Sequence, residues 1–259
     1  SACNDKIGVR DQESISLFSA DGIFLNKFRQ YSSTINFLFG KDRIYYSSAN
    51  LTSDCLLTVF DLEGKALSPL YKKNIWISKG DLTTKNAFRE KLVYDGYVWS
   101  DDRYLYYVYR YLGLIEKISF FGEMVQRNDI SESLGENSQY KSNLNNRILI
   151  KSDELKLDKG SAGCLELFLD SYLEGRYIYL LMSQYNALSD SPIPKIDIRR
   201  IDLNDLTVSS CVSVELGKKE WLSNLCVMRV NGKLIYIVDL KSEEGLSLYE
   251  IRESDDQEP

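Results

Sequence analysis

The chain has 259 residues, a formal net charge of −6 and no histidine. Without imidazole, Ser–His–Asp and Cys–His catalysis and HExxH zinc sites are excluded. Lys and Arg do not cluster, which excludes a phosphate-tracking nucleic-acid surface. Carboxylate acid–base chemistry and oxygen-ligand metal sites survive these exclusions.

Eighteen Tyr and ten Phe against four Pro favour half-buried strands, and no run of 18 apolar residues spans a membrane. The amino-terminal Ser-Ala-Cys followed by Asn-Asp-Lys resembles the end of a bacterial lipoprotein signal. That resemblance implies a lipid anchor on Cys3 and a periplasmic or cell-surface location, including the outer membrane.

Along the chain one pattern recurs: a polar turn, a basic residue, then an apolar or Tyr-rich strand. It reads NDKIGVRD (4–11), KDRIYYSS (41–48), DDRYLYYVYR (101–110), EGRYIYLLMS (174–183) and NGKLIYIVDL (231–240). Lys6, Arg43, Arg103, Arg176 and Lys233 mark its register.

A strand pair follows each copy: SISLFSADGIFLNKF (14–28), LLTVFDLEGKALSPL (56–70), LIEKISFFGEMVQ (114–126) and DIRRIDLNDLTVSSC (197–211). After the fifth copy only LSLYEIRES (246–254) remains, one strand rather than two. Asp21-Gly22, Glu63-Gly64, Phe121-Gly122 and Asn204-Asp205 read as hairpin turns, because these residue types tolerate positive φ. A further strand precedes four of the copies: INFLFG (35–40), LVYDGYVWS (92–100), LELFLDSY (165–172) and LCVMRVN (225–231). The first copy shows no such strand.

The unit is therefore four strands, a to d, repeated five times with both end copies incomplete. Radial repetition of four-stranded antiparallel blades is a β-propeller, and a single domain over 1–259 is expected. A sandwich or solenoid is the other reading of short alternating strands. RILIKSDELKLD (147–158) is the one place where a degenerate sixth unit could hide. The tail from 254 to 259 reads as a frayed acidic terminus.

ISLFSADGIFLNKF (15–28) and LLTVFDLEGKAL (56–67) resemble the outer hairpin of NHL-like and TolB-like six-bladed propellers, many of them bacterial lipoproteins of unknown role. The resemblance implies six blades. It implies no particular function.

In such a blade the a–b and c–d turns share one edge, and the b–c and d–a connections share the other. Here the first set is tight. The second is long: 47–55, 71–91, 127–164, 184–195 and 212–224. Loops on a rigid scaffold carry binding, so Tyr71, Trp76, Tyr185, Asp190 and Trp221 on the long-loop edge are the candidate ligand contacts. Aromatic faces beside polar groups suit a protein or carbohydrate ligand. The opposing reading tucks Trp76 and Trp221 between blades.

No catalytic residue, cofactor or metal motif is assigned. Asp101-Asp102 and Glu243-Glu244 read as solvated turns. Sugar-lactone hydrolases, which are six-bladed propellers, hold a metal on Glu, Asn and Asp, and Asn36, Asp95 and Asn224 begin a strands. Their spacing matches no motif, so a metal-dependent hydrolase or lyase is the alternative to a non-catalytic binding or scaffold propeller. Cys3, Cys55, Cys164, Cys211 and Cys226 form no CxxC pair, which leaves a structural zinc site without support. Cys55, Cys164, Cys211 and Cys226 lie beside or within apolar runs and read as free thiols in strands, with disulfides that sequence alone cannot pair as the alternative. Asn50-Leu51-Thr52 is an isolated sequon. The chain reads as a monomer.

Overall fold

The computed structural model describes residues 2–3, 6–10, 14–29, 34–39, 42–48, 55–72, 94–110, 113–130, 167–183, 185–186, 189–192, 195–217 and 219–252. They form strands and turns, with no helix among them. The proposed hairpin at 147–158, the sequon, Trp76 and Cys164 lie outside the described residues.

Five antiparallel sheets follow one another along the chain. The first contains β1 (Ala2–Cys3), β2 (Lys6–Arg10), β3 (Ser14–Ser19) and β4 (Phe24–Arg29). The second contains β5 (Thr34–Phe39), β6 (Arg43–Ser48), β7 (Cys55–Asp61) and β8 (Ala66–Lys72). The third contains β9 (Gly96–Ser100), β10 (Tyr104–Tyr109), β11 (Leu114–Ser119) and β12 (Met124–Asp129). The fourth is built from β13 (Phe168–Glu174), β14 (Tyr177–Met182), β17 (Lys195–Asp202) and β18 (Val208–Glu215), with β15 (Tyr185–Asn186) and β16 (Ser189–Pro192) as a side hairpin. The fifth has three strands, β19 (Trp221–Val230), β20 (Lys233–Ser242) and β21 (Gly245–Arg252). Each strand pairs with the next in order. These sheets are the blades of an all-β, β-propeller fold.

Three sequence expectations are corrected. The first blade does have an a strand: Ala2 and Cys3 pair with Ile7 and Lys6. It is two residues long and carries no periodic signal. The segment 212–224 is mostly strand, because β18 runs to Glu215 and β19 starts at Trp221. The described residues hold five blades, not the six implied by the family resemblance. The incomplete fifth blade is as expected.

In the third and fourth blades burial peaks in the second strand and falls toward the outer one, which explains their composition. The second strands β10 and β14 are buried at every position but their first. A strand packed on both faces must be apolar throughout, which is why YLYYVY and YIYLLM do not alternate. The outer strand β12 is half-exposed or exposed at every position. Between the first two blades Ile15, Leu17, Ile44, Tyr46 and Phe60 form a core cluster, with the Tyr46 and Phe60 rings 4.7 Å apart edge to face. Each fully buried aliphatic or aromatic side chain contributes about 1.5–3 kcal/mol.

The c–d turns are tighter copies of one another than the sequence suggests. Gly22, Gly64 and Gly122 donate to the carbonyls of Ser19, Asp61 and Ser119 and have φ of 80°, 83° and 84°. Each is a type I turn closed by a left-handed glycine. Ser19 Oγ accepts from Ile23 N, Asp61 Oδ1 from Lys65 N and Ser119 Oγ from Glu123 N. The fourth turn differs. Its positive-φ residue is Leu206 rather than Asn204 or Asp205, at 61°. Leu206 is fully buried, and its carbonyl accepts from Asn128 Nδ2 at 2.8 Å. Packing and this bond hold a conformation that leucine alone disfavours.

The chain divides into two compact units, Ser1–Tyr109 with Ile115–Arg127, and Arg110–Leu114 with Asn128–Pro259.

Candidate functional site

The two edges differ where the second, third and fourth blades meet their long connections, and the first and fifth blades have short connections on both edges. No a–b or c–d turn exceeds the five residues between β17 and β18. On the other edge β8 ends at Lys72 and β9 begins at Gly96, β12 ends at Asp129 and β13 begins at Phe168, and β14 ends at Met182 while β17 begins at Lys195.

On that edge of the second unit, two inner-strand bulges build a polar corner. Beta bulges interrupt β13 between Phe168 and Asp170, and β19 between Ser223 and Leu225. The second blade repeats the device in β5, between Thr34 and Asn36. A bulge inserts one residue and re-aims the side chains next to it. In β19 it puts Asn224 at a φ of 49°. Asn224 Nδ2 then donates to Asp239 Oδ2 at 2.6 Å, and Leu225 N donates to Asp170 Oδ2 at 2.7 Å. Asp170 Oδ1 accepts from Ser171 N at 2.8 Å. Arg110 Nε donates to the Phe168 carbonyl at 3.2 Å, and Leu167 N returns a bond to Arg110 O at 2.9 Å.

Burial raises the Asp170 carboxyl above its ordinary range, while two backbone amides and the Arg110 charge pull it back. Both Asp170 oxygens thus serve the backbone. The corner fastens β13 to β19, and its exposed part is Asn224 with Asp239. Such amide and carboxylate groups are hydrogen-bonding partners for hydroxyls or peptide groups. Among the described residues no three Cys, Asp or Glu side chains group closely enough to hold a metal ion.

The candidates named from sequence fall in different places. Tyr71 is not an exposed platform. It lies in β8 opposite Leu57 and is 2% exposed. Trp221 opens β19 opposite Lys241 and is half-buried, three residues before Asn224. Tyr185 and Asp190 share the small hairpin, where Tyr185 pairs with Pro192. Cys3 ends β1 opposite Lys6. Of the three a-strand starts, Asn36 lies at the β5 bulge, Asp95 immediately precedes β9 and Asn224 sits at the β19 bulge. Cys55, Cys211 and Cys226 lie in the strands β7, β18 and β19.

Asp101 is a turn builder, as its place in the repeat predicts. Its Oδ1 accepts from Arg103 N at 2.7 Å and Tyr104 N at 2.6 Å, and its Oδ2 accepts from the Tyr106 hydroxyl at 2.7 Å.

Sequence reasoning missed Asp170 and Asp239. The available signal was apolar spacing. Buried Leu222 and Leu225, and buried Phe168 and Ser171, stand three apart, where an unbroken strand would space them by two. It also missed Glu116, fully buried in β11. Its Oε2 accepts from the Tyr109 hydroxyl at 2.7 Å and its Oε1 from Arg127 Nε at 2.7 Å.

No family model matches the chain, and no curated protein matches it. Solved structures do resemble it. A streptogramin B lyase shares 11% identity over 95% of this chain and 63% of its own, with a TM-score of 0.49. The Pan2 WD40 domain of Neurospora crassa shares 10% over 94% and 60%, with a TM-score of 0.45. A Bacteroides caccae protein of unknown function shares 10% over 98% and 74%, with a TM-score of 0.43. The chain spans about three fifths of the length of the first two.

Proposed function

We infer that this is a non-catalytic binding or scaffold propeller working outside the cytoplasm, which takes a protein or glycan ligand on its long-loop edge. The supporting observation is where the long connections fall: β8 to β9, β12 to β13 and β14 to β17 all lie on one edge, opposite the short hydrogen-bonded turns. Trp221, Asn224 and Asp239 offer an aromatic face beside an amide and a carboxylate on that edge. Tyr185 and Asp190 lie on the b–c hairpin of the neighbouring blade.

The location rests on the resemblance of Ser-Ala-Cys to the end of a lipoprotein signal. Cys3 ends β1 beside the a–b turn of the first blade. An acyl chain there would leave the b–c edge of that blade at the opposite end. Intact mass of protein taken from its source cell should show an acylated Cys3, and an unmodified cysteine would remove the anchor.

The ligand reading is tested with a glycan microarray and a displayed-peptide panel. A specific binder is expected whose signal falls at least tenfold in Trp221→Ala and Asn224→Ala and is unchanged in Lys65→Ala on the tight-turn edge. Binding indifferent to the first two changes would overturn the assignment of the edge. A stoichiometric divalent ion in the purified protein would instead favour the hydrolase or lyase alternative.

A further inference from the structure

In β19 and β20, Trp221 stands opposite Lys241, Leu222 opposite Leu240 and Ser223 opposite Asp239. Cross-strand partners share a face of a sheet, and so do residues two apart along a strand. Trp221, Ser223, Asp239 and Lys241 therefore lie together on one face, with buried Leu222 on the other. The β19 bulge adds the Asn224 amide, bonded to Asp239 Oδ2. Ser223, Asn224 and Lys241 are exposed, and Trp221 and Asp239 are half-buried. We propose that this face binds a neutral carbohydrate, with one pyranose ring stacked on Trp221 and two adjacent hydroxyls bonded to Asn224 and Asp239.

The proposal rests on the ligand-binding reading above and chooses between its two ligand classes. Among the described residues Trp221 Nε1, Ser223 Oγ and Lys241 Nζ have no hydrogen-bond or ionic partner. A half-buried indole N–H ordinarily finds one. Asn224 and Asp239 hydrogen-bond only to each other, which leaves one N–H and Oδ1 of Asn224 and Oδ1 of Asp239 for a ligand. Donors and acceptors thus stand side by side next to one aromatic ring. Sugar hydroxyls both donate and accept, so one donates to Asp239 while its neighbour accepts from Asn224. The carboxylate and the ammonium of this face balance, as do the neighbouring Asp170 and Arg110 charges. An anionic ligand finds no excess of positive charge here.

A peptide fits this face less well. Extended peptides draw affinity from main-chain bonds to an open strand edge. Here β20 is paired on both sides, to β19 and β21, and on the other edge of β19 Asp170 takes the Leu225 amide. Recognition falls to side chains on a face. The apolar side of a sugar ring suits an indole, and its rim of hydroxyls suits the polar groups around that indole.

The test is saturation-transfer NMR on the full chain with methyl glycosides of glucose, galactose and mannose, their trisaccharides, and glucuronic acid as the anionic control. A neutral sugar should receive saturation with roughly millimolar affinity. Its analogue lacking one of the two hydroxyls should bind about tenfold more weakly. Trp221→Ala and Asp239→Asn, each checked for unchanged circular dichroism, should weaken binding about tenfold or more. The second keeps the side-chain shape and so separates lost bonding from lost structure. No transfer to any sugar, transfer that survives both substitutions, or tighter binding of glucuronic acid would overturn the proposal. So would acrylamide quenching of fluorescence that Trp221→Phe leaves unchanged, since another part of this chain would then cover the face. A displayed peptide that binds through Trp221 would overturn the sugar and keep the edge, whereas silence from sugars and peptides alike would remove the ligand-binding reading itself.

Discussion

Glu116 is a carboxylate with no exposure, held by the Tyr109 hydroxyl and by Arg127, whose side chain is 30% exposed. Taking a charge out of water costs several kcal/mol unless it is paired. Removing Arg127 therefore hurts more than removing the charge on Glu116. Arg127→Ala should destabilise by about 3–5 kcal/mol, because it strands a buried anion. Glu116→Gln keeps the shape and leaves Arg127 partly in water, so its cost should be about 1–3 kcal/mol. Urea melts of the two variants check the order. An equal loss would overturn the account of Arg127 as the partner that makes the buried charge tolerable.

At the scale of elements, the three glycine-closed turns share one conformation but not one environment. A β-carbon on Gly22 would meet nothing within 4 Å. On Gly122 it would lie 1.9 Å from the Leu70 carbonyl oxygen, in the outer strand of the preceding blade. Both have positive φ, so alanine costs about 1 kcal/mol at either for the left-handed backbone. Gly122→Ala must also push two blades apart, so its total loss should exceed that of Gly22→Ala by about 2 kcal/mol or more. Thermal denaturation of the pair measures the difference directly. The glycines were legible in the sequence because turn chemistry is local. Their unequal worth was not, since it depends on a strand more than 50 residues away. The same contrast separates the tyrosine strands, which announced themselves through apolar runs, from Asp170 and Asn224. Their role arises from bulges that break the periodicity on which strand reading relies. Tyr71 shows the reverse error. A tyrosine next to a lysine-rich stretch read as loop surface, yet β8 extends one residue beyond it and buries its ring.

At the scale of the whole molecule, the repeat was readable because β6, β10 and β14 obey one burial rule: each lies between two other strands and is filled with buried apolar residues and tyrosines. That choice carries a consequence for pH. Burial holds the hydroxyls of Tyr106, Tyr107 and Tyr109 far above the ordinary phenol value of 10.0, and the Asp101, Asp95 and Glu116 charges respectively push them further. In the second unit burial, with a hydrogen bond to Cys226, raises Tyr172 to about 12. The folded chain keeps these protons at pH values where an unfolded chain has released them. Stability is therefore complete below about pH 10 and falls as pH rises above it, because the unfolded state then binds fewer protons than the folded one. Chemical denaturation at pH 8, 9 and 11 should give similar midpoints at the first two and a clearly lower one at the third. Tyr107→Phe removes one of these groups together with its 2.6 Å bond to the Tyr94 carbonyl. It should be less stable than the parent at pH 8 and lose less on going to pH 11. A parent whose midpoint holds at pH 11 would mean that these hydroxyls reach water in the folded state.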